Sequence, residues 1–274
     1  MNIETKYIRR ELSAVIEEAY RYFSVITITG PRQSGKTTLI RNLFPHLPYY
    51  SLENLDVRSF AENDPIAFLN QHVKGMILDE VHNAPNLLSY IQGMVDEDAD
   101  RRFILSGSSQ FAMLKKVSQS LAGRTAVFEL LPLSYSEVRE TVTDTPLDHL
   151  LFNGFYPAIY SGRNVPKFLY PAYMKTYLDK DVRDLLQIKD MMQFHMFIRL
   201  CAGRVGSLFK ASELANEIGI SSHTVTAWLS VLQASYIVTL LPPYFEFRGA
   251  VYGECHLFDH LLGEVHHPEV ILVG

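Results

Sequence analysis

The chain has 274 residues, of which 47% are hydrophobic and 20% charged, a composition that excludes a disordered or fibrous protein and a length that allows about two domains. Its net charge of -5 and pI near 6.1 exclude the whole-molecule positive field of a dedicated nucleic-acid binder. Only Cys201 and Cys255 are present, the opening MNIETKYIRR has no apolar signal core, and no window reaches the ~18 uninterrupted apolar residues of a membrane span. A reducing cytoplasm is therefore the expected location, with no membrane partner.

In chain order, Val25–Thr29, Tyr49–Leu52, Met76–Asp79, Phe103–Ser106 and Ala126–Leu130 read as short β-branched strands. Helical stretches such as Lys36–Leu43 and Gln110–Leu121 lie between them, which predicts an α/β fold with a parallel sheet. Ser134 to Glu137 has the spacing of a capping box, and a helix is expected to start there. The polar run from Thr141 to Pro146 suits a joint between units. Beyond it, residues 147–207 read as a helical, lid-like region with helices over Pro171–Leu186 and from Asp190 to a stop at Gly203. Residues 208–247 read as a small winged-helix-like region, and 248–274 as a divergent tail. The first domain is assigned to residues 1–140.

Gly30-Pro31-Arg32-Gln33-Ser34-Gly35-Lys36-Thr37 matches G-x-x-x-x-G-K-[ST] at every fixed position, after a predicted strand and at the start of a predicted helix. Glycines at these places let main-chain N–H groups wrap round phosphates, which predicts binding of ATP along Gly30–Thr38. Lys36 would reach the β- and γ-phosphates and the Thr37 hydroxyl would ligate Mg²⁺. Met76-Ile77-Leu78-Asp79-Glu80 is an apolar strand ending in two acids. Asp79 is the candidate for holding Mg²⁺ through water and Glu80 for orienting or deprotonating the attacking water. Ser106 or Ser108, at the end of the next strand, is placed to bond the γ-phosphate or that water; a turn-forming serine is the bland alternative. Arg124 is read either as a guanidinium acting on a neighbouring subunit's nucleotide or as half of a surface salt bridge.

With these motifs in this order, the sequence resembles an AAA+ ATPase. More narrowly, GPRQSGKTT, YYSLENLDVRSFAENDP, ILDEV, LSGSSQF and SQSLAGR resemble a prokaryotic family that pairs an AAA domain with a C-terminal domain of unknown function. The resemblance continues through Gly154-Phe155-Tyr156-Pro157, the segment Thr176–Arg183 and the region from Leu208 to Tyr244. It implies a sensor role for Ser106 and a finger role for Arg124. His82 stands where such relatives would have glutamine, which leaves the expected roles of Asp79 and Glu80 in place. Relatives continue into a nuclease-like fold, whereas this chain becomes unlike them after Phe247 and has no lysine after Lys210. A truncated member without a nuclease site is therefore expected.

Ala211–Gly219 followed by Ser222–Gln233 has helix-turn-helix spacing, with a wing expected from Ser235–Leu240 and the segment after Pro243. Ser222, His223, Thr224 and Thr226 would head the recognition helix. That helix has no Lys or Arg, so a structural or protein-contacting unit is preferred over DNA binding. Lys175, Lys180, Arg183 and Lys189 alternate with acids and read as a solvated face. The ligand types Cys255, His256, Asp259, His260, His266 and His267 lack a second zinc framework and read as surface residues of the tail. The expected function is an Mg²⁺-dependent ATPase acting as a switch or motor, with a homo-oligomer or a protein client as partner. The alternative is a nucleotide-dependent DNA-binding or adaptor protein with little hydrolysis.

Overall fold

The computed structural model describes residues 7–107, 117, 120–176, 188, 190–241 and 256–259. They divide into two units, one made of residues up to 144 together with 155–161, the other of residues 145–154 and those from 162 onward. In the first unit α1 (Leu12–Ala19) leads to β1 (Val25–Thr29), α2 (Lys36–Leu43), β2 (Tyr49–Ser51), α3 (Leu55–Asn63) and α4 (Pro65–Asn70). Then come β3 (Gly75–Asp79), α5 (Leu87–Glu97), β4 (Arg102–Ser106), β5 (Thr125–Glu129) and the short α6 (Tyr135–Val138). The five strands form one parallel sheet in the order β2-β3-β4-β1-β5. This is the α/β class expected from the sequence.

Alternation along each strand divides the apolar residues between two faces. Val25, Met76, Leu78, Phe103 and Leu105 pack with Phe68 of α4 and with Leu88 and Ile91 of α5. Ile26, Ile28, Ile77 and Ile104 pack on the other side with Ile16 of α1 and with Leu39 and Ile40 of α2. A sheet covered on both faces needs apolar residues in both phases, which is why these strands read as continuous apolar runs. Each such side chain, fully buried, contributes ~1.5–3 kcal/mol. Polar residues set the helix starts: Asn54 accepts from the N–H groups of Asp56 and Val57, and Asp64 from that of Ala67. At α6 the Ser134 hydroxyl accepts from Glu137 N–H while the Glu137 carboxylate accepts from Ser134 N–H, the capping box its sequence predicts.

The chain continues through α7 (Leu147–Asn153) in the second unit, returns to the first with α8 (Pro157–Tyr160), and re-enters the second with α9 (Pro166–Tyr173). There follow α10 (Met191–Ala202), α11 (Ala211–Ile218), α12 (Ser222–Ala234), β6 (Val238–Leu241) and β7 (His256–Asp259). Asp190 caps α10 and Gly203 ends it, as the sequence predicts. Gly219, in the left-handed region, ends α11, and the Ser221 hydroxyl starts α12 by accepting from Thr224 N–H. Trp228 of α12 meets Phe194 and Phe197 of α10 at centroid separations of 5.2 and 5.5 Å.

β6 pairs antiparallel with β7, Leu240 opposite Leu257. The strand that pairs with β6 thus lies well past Pro243, inside the stretch read as a tail. His256–Asp259 is extended, and His260, the other residue of the proposed zinc pair, lies outside the described residues. Among the described residues no three metal-ligand side chains gather, and no helix is long and apolar enough to cross a membrane. Ser108, most of the predicted Gln110–Leu121 helix, and Tyr177, Lys180, Arg183 and Lys189 lie outside the described residues.

Candidate functional site

From Thr29, the carboxyl end of β1, the chain turns directly into the glycine loop that leads to α2. Gly30 has φ 141°, and a Cβ there would stand 2.2 Å from the Leu130 carbonyl oxygen, so only glycine fits. Gly35, at φ 96°, takes the N-cap position of α2, where no side chain caps the helix. The first-turn N–H groups of α2 therefore suit an external anion. Gln33 is also left-handed, with φ 64°, an uncommon conformation for a residue with a Cβ. Arg32, Gln33 and Thr38 are exposed, whereas Pro31, Ser34 and Lys36 are buried.

Lys36 is only 6% exposed, and its amine donates to the carbonyl oxygens of Gly30 and Pro31, each at 2.8 Å. Burial pulls its pKa down to about 8, against the opposing effect of the Glu80 and Asp79 carboxylates. The buried Ser34 hydroxyl has no hydrogen-bond partner among the described residues. A buried amine, an unsatisfied hydroxyl and an uncapped helix start fit the phosphates of a nucleotide.

β3 and β4 end beside this loop because β1 neighbours β4 and β4 neighbours β3. Asp79, 4% exposed at the end of β3, accepts four hydrogen bonds. The Thr37 and Tyr49 hydroxyls donate to Oδ2, each at 2.7 Å, while the Ser106 hydroxyl and the Glu80 N–H, the latter at 3.2 Å, donate to Oδ1. Burial first, and the Asp79 carboxylate second, raise the pKa of Tyr49, so its phenol remains a donor. The Thr37 hydroxyl is an oxygen ligand of the kind a hard divalent cation takes directly, and the Asp79 carboxylate suits holding such a cation through its waters. Glu80 follows in the left-handed region at φ 53°, with its Oε2 3.1 Å from His82 Nδ1. The replacement of the expected glutamine by His82 thus bears on Glu80 directly, contrary to the small weight its sequence position suggested.

Arg124 is not brought to this site. Its carbonyl accepts from Val25 N–H at the amino end of the sheet, whereas the glycine loop leaves the carboxyl end, about 16 Å of strand away. Its guanidinium makes two hydrogen bonds to Asp96, at 2.5 and 2.8 Å, which hold the Asp96 carboxyl below its usual range.

Two residues at the site escaped the sequence reading. Buried Arg10 donates from Nη1 to the Ser34 carbonyl at 2.9 Å and from Nη2 to those of Leu131 and Pro132 at 2.6 and 3.1 Å. Its Nε pairs with Glu137 at 3.0 Å, so one guanidinium joins the glycine loop to the capping box of α6. Its only sequence signal is a pair of arginines before an amphipathic helix. Tyr49 stands in the quoted run YYSLENLDVRSFAENDP, but nothing in that run points to Asp79.

Residues 22–139 match the family model of an AAA domain, and residues 144–251 that of a domain of unknown function. An uncharacterized protein of Mycobacterium tuberculosis is 29% identical over 244 residues, spanning 86% of this chain and 54% of its own. One from Methanocaldococcus jannaschii is 21% identical over 266 residues, spanning 85% and 60%. The chain therefore spans between half and two thirds of the length of these relatives. Among solved structures, a Walker-type ATPase of Pyrococcus abyssi shares the fold, with a TM-score of 0.60 and 13% identity over 94% of this chain and 95% of that one. These matches identify residues 22–139 as a domain of the AAA type, with a fold shared with a Walker-type ATPase. More narrowly, the chain pairs an AAA domain with that domain of unknown function, as its sequence resemblance implied.

Proposed function

We propose that this protein binds ATP with Mg²⁺, hydrolyses it, and uses the cycle as a conformational switch or motor. The observation that carries this reading is the 2.7 Å hydrogen bond from Thr37 to Asp79, which joins the phosphate loop to the acidic end of β3. In this reading the backbone of Gly30–Thr38 cradles the triphosphate and Lys36 compensates charge on its β- and γ-phosphates. Bound Mg²⁺ would neutralise charge on those same oxygens, with Thr37 and Asp79 as the residues that hold it. Asp79 orients the hydroxyls of Thr37 and Ser106, and Ser106 acts as a sensor beside the γ-phosphate. Glu80 orients or deprotonates the attacking water.

Arg124 enters as a finger on the nucleotide of a neighbouring copy, because its position at the amino end of β5 fits action only in trans. That role calls for a homo-oligomer, and a switch calls for a protein client; a cytoplasmic location goes with both. Lys36→Ala is expected to abolish nucleotide binding, since the amine compensates charge in the ground state as well as the transition state. Glu80→Gln is expected to keep binding and lower turnover by ~10² to 10⁴-fold. Calorimetric titration of ATP and steady-state phosphate release test both, and undiminished hydrolysis by Glu80→Gln would refute the base.

A second reading has an observation of its own. The order α11, Gly219 turn, α12 is that of a helix-turn-helix, with Ser222, His223, Thr224 and Thr226 at the head of α12. A nucleotide-dependent adaptor or DNA-binding protein with slow hydrolysis would use this face. Since α12 carries no Lys or Arg, contact with protein is favoured over DNA. Turnover that rises on adding DNA would reverse that preference.

A further inference from the structure

Tyr49 belongs to neither nucleotide motif, yet its hydroxyl lies on the carboxylate at the centre of the site. A carboxylate offers about four lone-pair positions, and on Asp79 four donors occupy them, two on each oxygen. Three of those donors come from the phosphate loop and the ends of β3 and β4. The fourth, Tyr49, reaches in from β2, and it shares Oδ2 with Thr37, the hydroxyl assigned to the cation.

We propose that Tyr49 is a positioning residue that sets the cation preference of the Thr37 and Asp79 pair, an inference that rests on reading those two residues as the holders of a divalent ion. Two effects follow from one hydrogen bond. The terminal torsion of an aspartate is broad, and a second donor on Oδ2 narrows it, so that Thr37 gives its proton in one direction and presents its lone pairs in another. The same donor fills the position through which Oδ2 could itself enter a cation's inner shell. Mg²⁺ tolerates this well because it keeps several waters, whereas Ca²⁺ takes six to eight oxygens in flexible geometry and gains from every free carboxylate oxygen. Tyr49 is held for the task by its pairing with Ile77 in the sheet and by the Arg41 guanidinium, 5.0 Å from its ring centroid.

The test is the affinity of the full chain for a non-hydrolysable ATP analogue, measured by calorimetry in EDTA, in Mg²⁺ and in Ca²⁺. Tyr49→Phe keeps the ring and its Arg41 contact and removes only the hydroxyl. Its affinity in EDTA is expected to match the unsubstituted protein, while its melting temperature falls because one hydrogen bond to a buried carboxylate is lost. The gain in affinity on adding Mg²⁺ is expected to shrink by ~10-fold or more, the scale of a lost hydrogen bond to a buried charge. The gain from Ca²⁺ should persist or grow, so that the preference for Mg²⁺ narrows. Unchanged gains from both cations would overturn the proposal, as would a loss of affinity already present in EDTA, which would make Tyr49 merely structural. If the unsubstituted protein bound the analogue equally well with and without cation, the reading of Thr37 and Asp79 would fall first, and this inference with it.

Discussion

The first unit buries Arg10, Lys36 and Asp79 around the carboxyl ends of its strands, whereas among the described residues of the second no Asp, Glu, Lys or Arg is buried. There the interior is Phe194, Phe197, Leu214, Val225, Trp228, Leu229 and Leu232, with Ser235 as its polar member. Taking a charge out of water costs several kcal/mol unless other groups satisfy it. The first unit meets that cost with a connected set: Lys36 on two carbonyls, Asp79 on four donors, Arg10 on three carbonyls and a carboxylate. The second avoids the cost altogether. Chemistry is thus concentrated where desolvated polar groups satisfy one another, and the described interior of the helical unit is mainly apolar packing.

Substitutions that remove one member of either set separate these two modes. The largest effect is expected from Arg10→Ala, which leaves the Glu137 carboxylate buried without its main partner; both side chains are under a tenth exposed. Breaking a buried pair in this way costs ~3–5 kcal/mol, readable as a shift in the denaturant midpoint, and nucleotide affinity should fall too because Ser34 loses its anchor. Replacing both Arg10 and Glu137 with apolar residues should cost less than Arg10→Ala alone, and an equal or larger cost would show that the carbonyl contacts dominate.

Trp228→Ala is expected to remove ~3–5 kcal/mol from the helical unit by opening a cavity against Phe194 and Phe197. Nucleotide affinity should stay unchanged, and a parallel loss of affinity would break the division drawn above. Ser221→Ala is the smallest test, about 1 kcal/mol for a lost N-cap on α12. Melting curves of that variant should show the shift in helical signal without any change in the fold.

What the sequence made legible has local causes. Gly30 and Gly35 are dictated by the loop they form, the capping box of α6 by four consecutive residues, and the strands of the sheet by burial on both faces. Arg10 and Tyr49 were illegible because their partners are remote: Arg10 meets residues 24 and 127 positions away, and Tyr49 meets Asp79 at a distance of 30. His82 was visible as a departure, but its weight was not, since the left-handed turn at Glu80 decides that the two side chains face each other. The pairing of β6 with β7 was missed for a similar reason. Hairpin reasoning looks to the next few residues, and the partner strand begins at His256.

The place of β1 in the sheet also bears on how the protein is made. Its flank partners are β4 and β5, and Val25 pairs with Thr125, about 100 residues further along the chain. At translation speeds of roughly 5–20 residues per second, β5 emerges about 5–20 s after the strand that carries the phosphate loop. Throughout that interval one edge of a strand that is buried along its whole length in the folded unit lacks its neighbour, and Gly30 lacks the Leu130 backbone it packs against. The nucleotide cradle proposed above is therefore unfinished until most of the first unit has left the ribosome.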